Sequence, residues 1–131
     1  MTSARHKGRE CALQIMYQVD GGAPAPRAID DFFEHFAFSD EGREFAASLV
    51  DGTTSHQAEI DVKIGEHSDK WRVDRMAVVD RNILRLAVFE LFHALDPQPQ
   101  KVVLNEWIEV AKRYGAEHSS AFVNGILDSM I

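Results

Sequence analysis

Between Val79 and Leu95 the chain runs VDRNILRLAVFELFHAL, and this stretch limits what the whole can fold into. At about 100° per residue, Ile83, Leu84, Ala87, Val88, Leu91 and Leu95 share one broad helical face. Leu86, Phe89 and Phe92 fall on the opposite side. A helix that is apolar nearly all round belongs in the middle of a fold, with neighbours on several sides. It is too short, and too interrupted by Arg81, Arg85, Glu90 and His93, to span a bilayer. Asp80 lies in the first turn, where a carboxylate favours the positive end of the helix dipole. Pro97 and Pro99 end the helix.

The other apolar runs also follow the helical period. Ala12, Ile15, Met16 and Val19 predict a helix over Arg5–Asp20, stopped by Gly21-Gly22. Residues 22–27, with Pro24 and Pro26, read as a loop. Ile29, Phe32, Phe33 and Phe36 give a short helix with an aromatic face. Ser39 can cap the next helix, with Asp40 and Glu41 in its first turn. Phe45, Leu49, His56, Ile60 and Ile64 carry that stripe to about His67, with Gly52 suited to close contact with a neighbouring helix. Trp71, Val73 and Met76 form a brief apolar turn, and Trp71 and Trp107 read as core anchors. Val103, Trp107, Val110, Ala111 and Tyr114 mark a helix closed by Gly115. A last helix begins near Ser119 or Ser120 and buries Phe122, Val123, Ile126, Leu127 and Met130, with Gly125 as a packing glycine. There is no strand-like alternation and no repeat. The expected architecture is all-α, with about seven helices in one domain of 131 residues.

The formal charge of -7 argues on its face against nucleic acid, but its distribution is uneven. Arg5, Lys7 and Arg9, with His6, make the N-terminus basic. Acids dominate from Glu10 to Asp69, and Lys70, Arg72, Arg75, Arg81 and Arg85 form a second basic cluster. Such asymmetry suggests two kinds of surface, although solvated helix faces and a basic terminus account for the charge equally well. No phosphate-binding glycine loop, dinucleotide fingerprint, HExxH or CxxC is present, so an enzyme is disfavoured and no cofactor is expected. The six histidines look scattered and read as surface or satisfied helix residues rather than metal ligands. Cys11, the only cysteine, reads as buried and apolar. With no recognisable signal peptide and no apolar run of membrane length, the expected compartment is the cytoplasm.

Three ordered blocks carry a resemblance. The first is Arg9-Glu10-Cys11-Ala12-Leu13-Gln14 with Met16-Tyr17. The second is Val79-Asp80-Arg81, Ile83-Leu84-Arg85-Leu86-Ala87 and Phe89-Glu90-Leu91. The third, and most specific, is Asn105-Glu106, Glu109-Val110-Ala111-Lys112, Gly115-Ala116-Glu117 and Phe122-Val123-Asn124-Gly125-Ile126-Leu127-Asp128. In these blocks the chain resembles the NusB family of bacterial transcription antitermination factors along nearly its full length. The resemblance implies two helical subdomains, roughly 1–68 and 69–131, around the central helix. It implies a non-catalytic protein that binds boxA RNA together with NusE, a small-subunit ribosomal protein, within the RNA polymerase antitermination complex. That complex supports read-through of ribosomal RNA operons.

By the same resemblance, Arg5, His6, Lys7 and Arg9 would hold RNA phosphates. Lys112 and Arg113 would add charge, Ser119 and Ser120 would offer hydroxyls, and Phe122 would stack a base. Without the family, Phe122 reads more readily as core, and Arg81 and Arg85 as decoration of a solvent edge. Tyr17, Asp80, Arg81 and Glu90 are the residues that would meet the partner protein. His6 and Gly8 stand where the family commonly has arginine and alanine, and His118 where it often has an acid. Two other readings remain open: the RNA-binding module of a ribosomal RNA methyltransferase, which needs further chain beyond Ile131, and a helical interaction module that dimerises without binding RNA. The resemblance allows a homodimer as well as a monomer.

Overall fold

The computed structural model describes residues 3–69 and 71–131; Lys70, of the second basic cluster, lies outside the described residues. Among the described residues seven α-helices follow in order: α1 (Ala4–Asp20), α2 (Ala25–His35), α3 (Asp40–Ser55), α4 (Gln57–His67), α5 (Val78–Phe92), α6 (Gln100–Tyr114) and α7 (Ser119–Asp128). A single 3-10 turn, Val73–Arg75, precedes α5. No strand occurs among the described residues, and none of the helices searched is long and apolar enough to cross a membrane.

Local chemistry sets the helix ends. Ser39 Oγ accepts the Gly42 N–H at 3.2 Å and starts α3. Ser3 does the same for α1, accepting from the His6 N–H at 3.1 Å. Gly22 takes φ +114° just past α1, a conformation that favours glycine. Helix α2 begins inside the stretch that the sequence reads as loop. Pro26 sits in its first turn, where the missing N–H has no helical partner to lose.

The central helix is the most buried of the seven: Asn82 to Glu90 are nine consecutive buried residues. Around it pack α1, α3, α4, α6 and α7, which is why it is apolar on every side. It ends at Phe92 rather than Leu95, so Leu95 is fully exposed. Gly52 lets α3 approach it closely, since a Cβ there would lie 2.0 Å from the Phe89 ring. The long helix expected across this region is broken at His56 (φ −110°, ψ 12°), and α4 turns away to pack on α5. Trp107 is a core anchor, as the periodicity predicts, and Met76 of the brief apolar turn is buried, but Trp71, held in a turn with Ser68, is 55% exposed. Gly125 is exposed and meets no neighbour, so it is not a packing glycine.

Two polar networks run through this apolar body. In the first, Arg9 grips Glu90 with two parallel bonds, Nε to Oε1 at 2.9 Å and Nη2 to Oε2 at 2.6 Å. Trp107 Nε1–H donates to the same Oε1 at 2.8 Å. The side chains of Arg9 and Glu90 are each only 2% exposed. The network therefore joins α1, α5 and α6 in the interior. In the second, Arg81 donates through Nε to Asp20 at 3.1 Å and through Nη1 to the carbonyls of Val73, Asp74 and Met76. Arg85 forks onto Asp61 at 2.8 and 3.0 Å and reaches Asp20 at 3.2 Å. Arg81 and Arg85 are thus not solvent-edge decoration: they tie the end of α1, the 3-10 turn and α4 to the central helix.

Removing one partner of a buried pair leaves a charge uncompensated in a poorly solvated place. Glu90→Gln keeps an acceptor for Trp107 but strips the forked countercharge from Arg9, leaving it only Glu106 at 3.6 Å, and should cost about 3–5 kcal/mol in urea unfolding. The double variant Arg9→Met/Glu90→Gln should recover much of that loss. A double variant no more stable than the single one would contradict the pairing. The second network predicts acid sensitivity. Burial alone would raise the Asp20 carboxyl, but hydrogen bonds and charge from Arg81 and Arg85 outweigh it and hold it below its ordinary value of 3.8. Its stabilising contribution is complete above that value and is lost as pH falls from there through the lower folded value. The stability gap between wild type and Asp20→Asn should therefore be constant near neutrality and close below pH 3.8.

Candidate functional site

The first two turns of α1 lie beside α6, and acidic side chains join the basic groups there. His6 Nδ1 lies 2.9 Å from Glu106 Oε2, and His6 Nε2 3.8 Å from Glu10. Arg113 Nη1 donates to Glu10 Oε2 at 3.0 Å. Arg5 donates to Asp96 at 3.1 Å, and its guanidinium lies over the Phe45 ring, 4.7 Å from the centroid. Lys112 pairs with Glu109 of its own helix at 3.2 Å. Lys7 is exposed and has no ion-pair partner among the described residues. His6 and Arg113 are thus brought together around Glu10, with Glu106 beside His6, while Arg5 lies on the Phe45 side of α1 and Lys7 projects from the side opposite Arg5.

Arg9 borders that cluster, its Nη1 3.6 Å from Glu106 Oε1, but its guanidinium is spent on the interior. It points inward to Glu90, and a guanidinium with 2% exposure offers no face to a phosphate. The same burial removes Glu90 from any partner surface. Helical geometry explains the split: Lys7 is two residues from Arg9 and so projects from the other side of α1.

The α6–α7 corner corrects a second expectation. Ser119 is buried, and its Oγ accepts the Ala116 N–H at 2.9 Å. It packs so closely on Gly115 that a Cβ there would come within 2.4 Å of the Ser119 Cβ. Ser119 therefore builds the corner, while the half-buried Ser120 keeps an accessible edge. Phe122 is half-buried and packs against the core, leaving part of its ring outward.

Among the residues expected to face a partner, Tyr17 is 55% exposed on α1. Asp80 is half-buried in the first turn of α5, and Arg81 is committed to the Asp20 network beneath. Cys11 is buried; burial foremost, with the neighbouring Glu10 carboxylate, pushes its thiol up to about 11, so it supplies no thiolate near neutrality.

The fold also assembles one group that linear spacing concealed. His56 at the α3–α4 break, Glu59 one turn on, and His93 at the end of α5 bring one ligand atom each within 4.8 Å of one another. The histidines are therefore not all scattered. A continuous helix through residue 56 and a later end to α5 hid this proximity.

Comparison with known proteins places the whole arrangement. The family model described as the NusB family matches residues 6–131. The transcription antitermination protein NusB of Geotalea daltonii is 50% identical, with 98% of this chain and 94% of that protein covered. That of Sorangium cellulosum is 46% identical, with 95% and 89% covered. Among solved structures, NusB of T. maritima is 33% identical and overlays with a TM-score of 0.88, covering 99% of this chain and 92% of the other. A crystal structure of antitermination factors NusB and NusE in complex with dsRNA contains a chain 30% identical, with a TM-score of 0.89 and coverage of 99% and 97%. Sequence and fold agree over essentially the full length, and the chain belongs to the NusB family.

Proposed function

We propose that this protein is a transcription antitermination factor that binds boxA RNA together with NusE. In this reading it supports read-through of ribosomal RNA operons as part of the RNA polymerase antitermination complex, acting as a cytoplasmic adaptor rather than a catalyst. The observation that carries the reading is the overlay of nearly the whole chain on a chain from the NusB–NusE–RNA complex. The relatives are named for antitermination and match along most of their own length, which favours this reading over a methyltransferase module.

Within that role, Lys7, His6 and Arg113 contact phosphate, with Arg5 on the other flank of α1, and Lys112, Ser120 and the outward part of Phe122 extend the contact. Tyr17 leads the surface for NusE, with Asp80 beside the Arg81 network. The two helical halves of this reading, 1–68 and 69–131, meet where α1, α3 and α4 pack on the central helix. The net charge of -7 makes RNA binding by the lone protein modest, because the acidic surface repels the backbone at long range. NusE supplies the remainder.

These roles separate experimentally. Phosphate contacts release counterions regardless of base identity. Lys7→Ala should weaken boxA and scrambled RNA alike and flatten the salt slope by about 0.7. Tyr17→Ala should lower affinity for NusE while leaving RNA binding by the lone protein unchanged. Equal binding of boxA and scrambled RNA in the presence of NusE would overturn the antitermination reading.

A further inference from the structure

His56 is the residue at which α3 ends and α4 begins, and His93 caps the C-terminus of α5. Their rings face each other with centroids 4.7 Å apart and planes inclined at 37°. Glu59 stands three residues beyond His56, the spacing that places two side chains side by side on a helix. One donor atom from each of the three lies within 4.8 Å of the other two.

The hydrogen bonds around this group leave its donors available. His56 Nδ1 lies 2.8 Å from the Gly52 carbonyl oxygen. A carbonyl only accepts, so Nδ1 is the donor there and Nε2 is the nitrogen left to bind an ion. A backbone carbonyl holding one imidazole nitrogen so that the other can bind is the usual outer support of a metal-ligating histidine. Glu59 and His93 make no side-chain hydrogen bond or ion pair among the described residues. Lys63, four residues after Glu59 and its natural ion-pair partner on a helix, instead lies over the Phe92 ring at 3.5 Å. The carboxylate is left without a neighbouring countercharge, beside two imidazoles.

We propose that His56, Glu59 and His93 bind one divalent transition-metal ion of the zinc class. Two imidazole nitrogens and a carboxylate oxygen suit Zn²⁺, Co²⁺ or Ni²⁺ rather than Mg²⁺ or Ca²⁺, which prefer oxygen ligands. Bond lengths near 2.0–2.2 Å put tetrahedral ligands about 3.3 Å apart, so donors that lie within 4.8 Å of one another must close by up to about 1.5 Å. The exposed Glu59 side chain and the helix-end position of His93 permit that movement. Three protein ligands leave a fourth position for water or an exogenous donor. The ion would clamp the α3–α4 corner to the end of the central helix. His56 and His93 also line a groove of about 650 Å³ that Arg5 and Asp96 share, so the clamp adjoins the basic end of α1.

The test uses the untagged full-length protein, titrated with Zn²⁺ by calorimetry and with Co²⁺ by visible absorption, with melting temperature followed in parallel. One equivalent should bind, with Co²⁺ bands of a low-coordinate nitrogen–oxygen site and a raised melting temperature. Glu59→Gln, at an exposed position that leaves the fold intact, should weaken Zn²⁺ by at least about tenfold, and His93→Ala by about 100-fold or more, since each loses a direct ligand rather than an outer support. His6→Ala removes the histidine beside Glu10 and Glu106 and should leave the affinity unchanged. Absence of stoichiometric binding would overturn the proposal. So would affinity unaltered in Glu59→Gln and His93→Ala, or lost in His6→Ala.

Discussion

The contact of Arg9 with Glu90 is the interaction on which the placement of everything else depends. Two opposite charges are withdrawn from water, and that withdrawal is tolerable only because the geometry is forked and Trp107 donates a further bond. Apolar packing alone would let α1 slide or rotate on α5 at modest cost, whereas a displaced ion pair leaves charges unsatisfied. The pair therefore specifies the rotation of α1. That rotation turns Lys7 outward, lays Arg5 and Arg9 over the Phe45 ring, and brings His6 and Glu10 to α6.

The other end of α1 is fixed by the same principle at a wetter site. Asp20 is shared by Arg81 and Arg85, and Arg85 also holds Asp61. Together the two networks hold α1 against the central helix at both ends. Many of the arginines that look in the sequence like a nucleic-acid patch are thus consumed by architecture. The charges left for RNA are fewer, and most have a carboxylate beside them. This fits an adaptor whose affinity comes from a joint surface with a second protein rather than from a dense basic field.

The fold was legible because the apolar period of the central helix is strong enough to predict a buried rod with helices all round it. Seven helices, the Ser39 cap, the Gly52 contact and the burial of Trp107 and Cys11 follow from local pattern. The site was less legible for a physical reason. Whether an arginine meets solvent or a carboxylate 81 positions away is a tertiary fact, and nothing in the local string around Arg9 announces Glu90. Ser119 likewise carries no local mark that its hydroxyl closes the α6–α7 corner. His56 and His93 were hidden by where helices break and end, the least predictable features of a helical sequence.

Arg9 is spent on the interior, which under the proposed function leaves Lys7 to face RNA. The most direct measurement is the salt dependence of boxA RNA binding, with NusE present, by the Arg9→Met/Glu90→Gln variant. If Arg9 is an interior residue, this variant keeps the wild-type slope of affinity against salt. A slope flatter by about 0.7, the signature of one lost phosphate contact, in a variant that remains folded would contradict the account.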